Sequence, residues 1–98
     1  EMEVVTQVHA VAVASGLFQT ADIKVRMRPF ETYLVGGSAD TSFIHVFGDI
    51  MQGRTEEQKT ALSKSMVTLL KNLFPEVPFI AMNVRDFEKA TYSNLGSI

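Results

Sequence analysis

Residues 43–84 hold two apolar runs with a helical pattern between them, and few folds accommodate that arrangement. The first run, Phe43 to Ile50 (FIHVFGDI), is apolar almost throughout, which is typical of a strand covered on both faces. The second run, Phe79 to Val84 (FIAMNV), also predicts a strand. Parallel neighbouring strands require a helical crossover, so the pattern is compatible with a parallel βαβ unit.

The helix between the two runs has a well-defined start. Thr55 is followed three residues later by Gln58, which is the signature of a capping box. Beyond this point the apolar residues recur at helical spacing on one face, and the charged residues lie away from that face. The apolar positions are Leu62, Met66, Leu69, Leu70 and Leu73.

The N-terminal part of the chain predicts a second helix. Residues 4–14 (VVTQVHAVAVA) place Val4, Val8 and Val11 on one helical stripe, although their β-branched side chains would suit a strand equally well. Ser15 and Gly16 follow, and glycine is the usual residue just past the end of a helix. We therefore expect this helix to end near Ala14.

A basic strand is expected next. Ile23, Val25 and Met27 alternate with Lys24, Arg26 and Arg28, which is the period of a strand with one basic face. Pro29 would end this strand or place it at an edge of the sheet. Residues 31–35 could add a short strand before a Gly-Gly-Ser turn, and the tail from Ala90 is expected to be loop-like, with at most a brief strand.

The two halves of the chain resemble each other. A helix, a Leu17-Phe18 pair and a strand are followed later by a helix, a Leu73-Phe74 pair and a strand. The second half also has a strand before its helix, so an internal repeat would predict a further strand upstream of Glu1. The resulting order is (β)-α-β-β-α-β. This order fits two folds. One is a ferredoxin-like split βαβ fold with an antiparallel sheet, and the other is two parallel βαβ units side by side. The apolar run 43–50 slightly favours the parallel arrangement.

Composition excludes several classes of protein. The 98 residues suffice for one domain, and so short a chain can gain stability from oligomerisation. The absence of cysteine excludes disulfides and thiolate metal sites and fits a cytoplasmic location. The net charge of −2, with no run of basic residues, argues against nucleic acid, and no apolar stretch approaches the ~20 residues of a membrane span. The two histidines lack the spacing of a metal site.

Two runs of residues carry a resemblance to a known family. GLFQTADIKVRMRPFETYLVGG (16–37) and FIHVFGDIMQGRTEEQK (43–59) are similar to the 5-carboxymethyl-2-hydroxymuconate isomerases of the tautomerase superfamily. The similarity extends over about residues 16–87. Its most specific part is the Gly-Arg-Thr junction that follows a histidine-bearing strand.

This resemblance implies a single tautomerase-like α/β (α+β) domain over residues 1–98, with both helices on one face of the sheet. It also implies a homotrimer whose sheets enclose a channel, with active sites at the subunit boundaries. Members of the family shift a double bond and a proton in carboxylated enol or dienol substrates, without metal or cofactor. Their base is an N-terminal proline, whose pKa is lowered so that the amine is free near neutral pH.

The sequence departs from the family pattern at this base. Position 1 is Glu1, and the three prolines (Pro29, Pro75 and Pro78) are internal amides that cannot act as a basic amine. We therefore expect an upstream first strand to carry the proline. If the protein has none, the alternatives are a non-enzymatic module that binds small anions and an inactive trimeric scaffold.

Four residues are candidates for the site. Arg54 matches the family arginine at the strand-to-helix junction, where it would hold a substrate carboxylate, and Arg26 is the second catalytic candidate. Lys24, the residue nearest to the family's second arginine, and His45 are candidates for substrate binding. Each also has a structural explanation: Arg54 as a solvated loop residue, Lys24 and Arg26 as part of a polar face, and His45 as a packed residue between aromatic side chains.

Overall fold

The computed structural model describes residues 1–98 and contains two helices and two strands. Helix α1 spans Met2–Ala14, strand β1 Phe43–Met51, helix α2 Glu56–Leu73 and strand β2 Phe79–Phe87. Three short 3₁₀ helices occupy Thr20–Asp22, Lys89–Thr91 and Leu95–Ser97. Both predicted helices and the two predicted apolar strands are confirmed, whereas the tail forms 3₁₀ turns and no strand.

The two strands are parallel and directly hydrogen-bonded to each other. Their register runs from Phe43 opposite Phe79 to Met51 opposite Phe87, and α2 forms the crossover between them. In the split βαβ unit of a ferredoxin-like fold, another strand would separate the two. Direct pairing therefore favours the tautomerase-like arrangement, and the small α+β fold agrees with that prediction.

Helix α2 packs directly on one face of this sheet, and α1 packs mainly against α2. Leu62, Met66 and Leu70 of α2 form the centre of the core, each at most 4% exposed. The predicted stripe of α1 packs against this centre, as do the inward-facing side chains of the strands. The half-buried members of this layer include Val4, Val8, Val11, Ile44, Val46, Ile80, Met82 and Val84.

The capping box that was predicted at the start of α2 is present. Thr55 Oγ1 accepts a hydrogen bond from the backbone N–H of Gln58 at 3.1 Å, and Gln58 Oε1 accepts one from the N–H of Thr55 at 2.8 Å. Both bonds satisfy backbone donors that a helix leaves unpaired at its first turn. The start of α2 is therefore fixed by local chemistry.

The predicted basic strand at residues 23–27 is wrong for this structure. Ile23 and Val25 are half-buried and Lys24 and Arg26 exposed, as in a strand, but residues 24–34 make no backbone–backbone hydrogen bond. A strand exists only through pairing with a neighbour, and β1 and β2 pair only with each other. The short strand expected at residues 31–35 is reduced to one antiparallel bridge between Val35 and Ser38.

The expectation that β1 is covered on both faces is also wrong for the single chain. Phe43, Phe47 and Phe79 point away from the helices and are 42%, 61% and 55% exposed. Only five of the 98 residues are buried, and the radius of gyration is 15.1 Å. A compact domain of this length has a radius of gyration of about 13 Å. The chain therefore leaves an unusually large apolar surface uncovered. None of its helices has the length and apolar character needed to cross a bilayer.

Candidate active site

Arg54 lies in the loop between β1 and α2, and its guanidinium group joins three parts of the fold. Nη1 donates a hydrogen bond to the carbonyl of Met51 at 3.0 Å, at the end of β1. Nη2 donates to the carbonyl of Leu17 at 2.6 Å, just beyond α1. The guanidinium carbon also lies 5.0 Å from the centre of the Phe18 ring, within the range of a cation–π contact. The side chain is therefore held in one place from three directions.

The turn that presents Leu17 to Arg54 is itself tied to α1. Gly16 has a φ of 72°, a left-handed conformation that glycine adopts at little cost after a helix. Ser15 Oγ donates to the carbonyl of Ala12 at 2.6 Å and accepts from the backbone N–H of Leu17 at 3.2 Å. These bonds fix the direction of the Leu17 carbonyl, so the contact with Arg54 connects two ordered segments.

Arg54 keeps the capacity to bind an anion. A guanidinium group has five N–H donors, and two are used by backbone carbonyls, so three remain for another partner. The residue is half-buried and has no carboxylate partner, because the two ion pairs of the structure join Lys59 to Asp86 and Arg85 to Asp49. An oriented cation with free donors is what bidentate recognition of a carboxylate requires.

Lys24 and Arg26 lie on the segment that has no strand partner. Both side chains are exposed, and the ammonium group of Lys24 reaches only the carbonyl of Asp22, at 3.4 Å. Arg26 has no ion-pair partner. Arg28, two residues further, lies 5.7 Å from the ring of Phe30. Lys24 and Arg26 are therefore exposed cations whose charges are free for an anionic partner, whereas Arg28 is directed to a ring.

His45 lies on the outward face of β1 between Phe43 and Phe47, as the strand period predicted. Its Nε2 is hydrogen-bonded to the side-chain carbonyl oxygen of Asn83 on β2, and its ring is stacked on Phe47 with 4.4 Å between the centroids. Arg85 lies over the same Phe47 ring at 5.5 Å. The imidazole is therefore oriented by neighbours on the exposed sheet face, on the side opposite to the helices.

The four candidates make no direct polar or ring contact with one another in the single chain. No hydrogen bond, ion pair or ring contact joins Arg54 to Lys24, Arg26 or His45. Two surface grooves lie elsewhere, one of about 340 Å³ between the helices and one of about 480 Å³ along residues 31–39. None of the four candidates lines either groove.

The groups that hold Arg54 are not predictable from the sequence pattern. In the sequence the Leu17-Phe18 pair stands out only as part of an internal repeat, although Phe18 provides the ring and Leu17 the carbonyl that contact the guanidinium. A carbonyl has no sequence signature, because every residue carries one. The only signal in the sequence that points to this turn is an aromatic residue, Phe18, two positions after the helix-ending Gly16.

Comparison with known proteins identifies the family. No individually curated protein matches the sequence significantly. The family model described as 5-carboxymethyl-2-hydroxymuconate isomerase matches residues 2–92, which include both helices, both strands and all four candidate residues. Because this match covers nearly the whole chain, and because the directly paired βαβ unit agrees with a tautomerase-like fold, the chain belongs to the 5-carboxymethyl-2-hydroxymuconate isomerase family.

Proposed function

We propose that this protein is a cofactor-independent isomerase that converts the enol form of a carboxylated substrate, of the 5-carboxymethyl-2-hydroxymuconate type, into its keto form. Membership of the family supports an isomerase or tautomerase function in general. The more specific proposal rests on the geometry of Arg54. Its guanidinium is oriented by two backbone carbonyls and an aromatic ring and retains three free donors.

In this proposal the arginines bind and polarise the substrate. Arg54 holds one carboxylate through two parallel hydrogen bonds, and Arg26 stabilises the negative charge that develops on the substrate oxygen. Lys24 and His45 contribute further contacts to the substrate. Glu56 and Glu57 begin α2, and their charges oppose an anion at the helix N-terminus. The guanidinium group, and not the helix dipole, therefore carries the anion binding.

The proton transfer needs a base, and the three prolines of residues 1–98 are internal amides that cannot act as one. We assign this role to a proline at the start of a first strand that precedes the α1 helix, as the internal repeat and the family resemblance suggest. Its secondary amine takes the proton of the enol hydroxyl group and returns a proton to a carbon atom of the conjugated chain. The double bond moves and the composition of the substrate does not change, so no oxidant, reductant or metal takes part.

The proposal includes a homotrimer with the sites at subunit boundaries. Two observations support association: the outward sheet face exposes three phenylalanines, and the candidate residues do not meet in one chain. Exposed apolar surface of this kind is typical of an interaction site. A second copy that covers the face would bury the aromatic side chains and could complete the set of cations around one substrate.

The test is an enol-to-keto assay with the full-length protein, after its intact mass and N-terminal residue have been determined. The substrates are 5-carboxymethyl-2-hydroxymuconate and, as a simpler acid, the enol form of phenylpyruvate, both followed by ultraviolet absorbance. Arg54→Lys keeps the charge but loses the planar pair of donors, so we expect kcat/KM to fall about tenfold or more. Arg28→Lys is the matched control, because Arg28 contacts only an exposed ring, and its kcat/KM should stay near the wild-type value.

The possible results separate the candidate functions. Turnover that depends on Arg54 but not on Arg28 supports the isomerase. Equal effects of the two substitutions contradict the role of Arg54 as a carboxylate clamp. A protein that binds these acids without converting them is the anion-binding module, and one that neither binds nor converts them is the scaffold.

A further inference from the structure

The geometry around Arg54 points to Phe18 as a positioning residue that keeps the guanidinium group oriented for the substrate carboxylate. This inference rests on the proposed function, because it gives a role to a residue that acts only through Arg54. Phe18 itself is not expected to touch the reacting atoms. Its ring lies 5.0 Å from the guanidinium carbon, on the turn whose Leu17 carbonyl accepts a 2.6 Å hydrogen bond from the same group.

The two contacts restrain different motions of the guanidinium plane. The carbonyls of Leu17 and Met51 fix two of the N–H directions within the plane. An aromatic ring within about 6 Å attracts the cation through its π face and so restrains its position relative to the ring. An arginine side chain otherwise has many rotamers. Restraining it before the substrate binds reduces the conformational entropy that the side chain loses on binding.

The rest of the turn is built to hold this ring in place. Gly16 reverses the chain after α1 with a φ of 72°, and Ser15 bonds both to the helix and to the N–H of Leu17. Phe18 is half-buried and packs against the core cluster as well. Its ring is therefore anchored on one side by the core and is available to Arg54, which is why we assign it a positioning role in addition to a packing role.

The internal repeat supplies a matched control. Phe74 follows Leu73 at the end of α2 as Phe18 follows Leu17 after α1, and it is also half-buried against the core. No cation lies over the Phe74 ring, because the three cation–π contacts of the structure involve Phe18, Phe30 and Phe47. A leucine at position 18 or at position 74 therefore removes a similar amount of packing, but only the first removes a contact with Arg54.

The kinetic experiment uses the full-length protein and 5-carboxymethyl-2-hydroxymuconate. Phe18→Leu should raise KM about twofold to fivefold, the range expected for the loss of one cation–π contact, with a smaller effect on kcat. Phe18→Tyr keeps the ring and should restore the wild-type KM, and Phe74→Leu should leave KM unchanged. In an Arg54→Ala background, Phe18→Leu should cause no further rise, because residues that act through one another are not additive.

A second readout does not depend on turnover. The Arg54 Nε–H signal in ¹⁵N NMR relaxation should show an ordered side chain in the wild type and in Phe74→Leu, and a mobile one in Phe18→Leu. If Phe18→Leu leaves the order of Arg54 unchanged, or if it changes KM no more than Phe74→Leu does while Arg54→Ala raises it, the inference about Phe18 is wrong and the proposed function stands. If the wild-type protein has no activity while Arg54 still loses its order in Phe18→Leu, the proposed function fails and only the holding of Arg54 by Phe18 is supported.

Discussion

Replacement of Arg54 by alanine tests how much this one side chain contributes to the free energy of unfolding. The substitution removes two hydrogen bonds from a cation to backbone carbonyls, at 3.0 Å and 2.6 Å, and one contact with an aromatic ring. A hydrogen bond to a charged group contributes about 1.5–3 kcal/mol and a cation–π contact about 0.5–1 kcal/mol. Both carbonyls are only partly buried and can bind water once the guanidinium is gone. We therefore expect the free energy of unfolding to fall by about 2–4 kcal/mol.

The assay is a urea titration followed by far-ultraviolet circular dichroism. Any association of subunits links stability to concentration, so all variants are compared at one protein concentration. Lys59→Ala is the control, because Lys59 is a cation near the same end of the sheet but bonds a side-chain carboxylate, Asp86, at 3.1 Å. Water still reaches both partners, so this pair should contribute less than about 1 kcal/mol.

The result that would refute this reasoning is a small effect at Arg54. If Arg54→Ala lowers the free energy of unfolding by no more than Lys59→Ala does, the guanidinium does not connect α1, β1 and α2 energetically. The loss of activity in Arg54 variants could then be assigned to substrate binding alone. A large effect would mean that kinetic work on this residue must use the conservative lysine variant.

Three further predictions concern assembly and stability. Phe47→Glu, on the exposed sheet face, should shift the mass measured by sedimentation equilibrium from that of an oligomer to that of one chain, whereas Leu95→Glu, on a residue that is 90% exposed outside the sheet, should not. An oligomer that survives Phe47→Glu would exclude this face as the interface. Thr55→Ala should lower the free energy of unfolding by about 1 kcal/mol, because it removes the N-cap of α2, and Thr55→Ser should restore it. Leu70→Ala, at a side chain that is 2% exposed, should cost about 2–5 kcal/mol in urea titration, and Leu95→Ala close to nothing. A cost of less than about 1 kcal/mol at Leu70 would contradict its place at the centre of the core.

The local sequence was sufficient for the elements whose signals lie within a few residues of each other. Thr55 and Gln58 satisfy each other's backbone donors across one turn, so the start of α2 follows from two side chains. The apolar spacing of α2 defined the face that is buried in the structure, with Leu62, Met66 and Leu70 at its centre. A helical crossover between two apolar runs was likewise enough to favour the parallel pairing of β1 and β2.

The tertiary structure decided whatever depends on a distant partner. The alternation around Lys24 and Arg26 describes a chain able to form a strand, but a strand needs a neighbour, and this one has none in the structure. The apolar run of β1 could not show that one of its faces is left open, because residue type does not reveal which surface another element covers. Arg54 was a candidate because it matches the family's arginine at the strand-to-helix junction, whereas one of the two carbonyls it bonds lies 37 residues away in the sequence, at Leu17. Contacts between backbone groups that far apart leave no pattern in the sequence, so only the folded chain could show what holds this arginine in place.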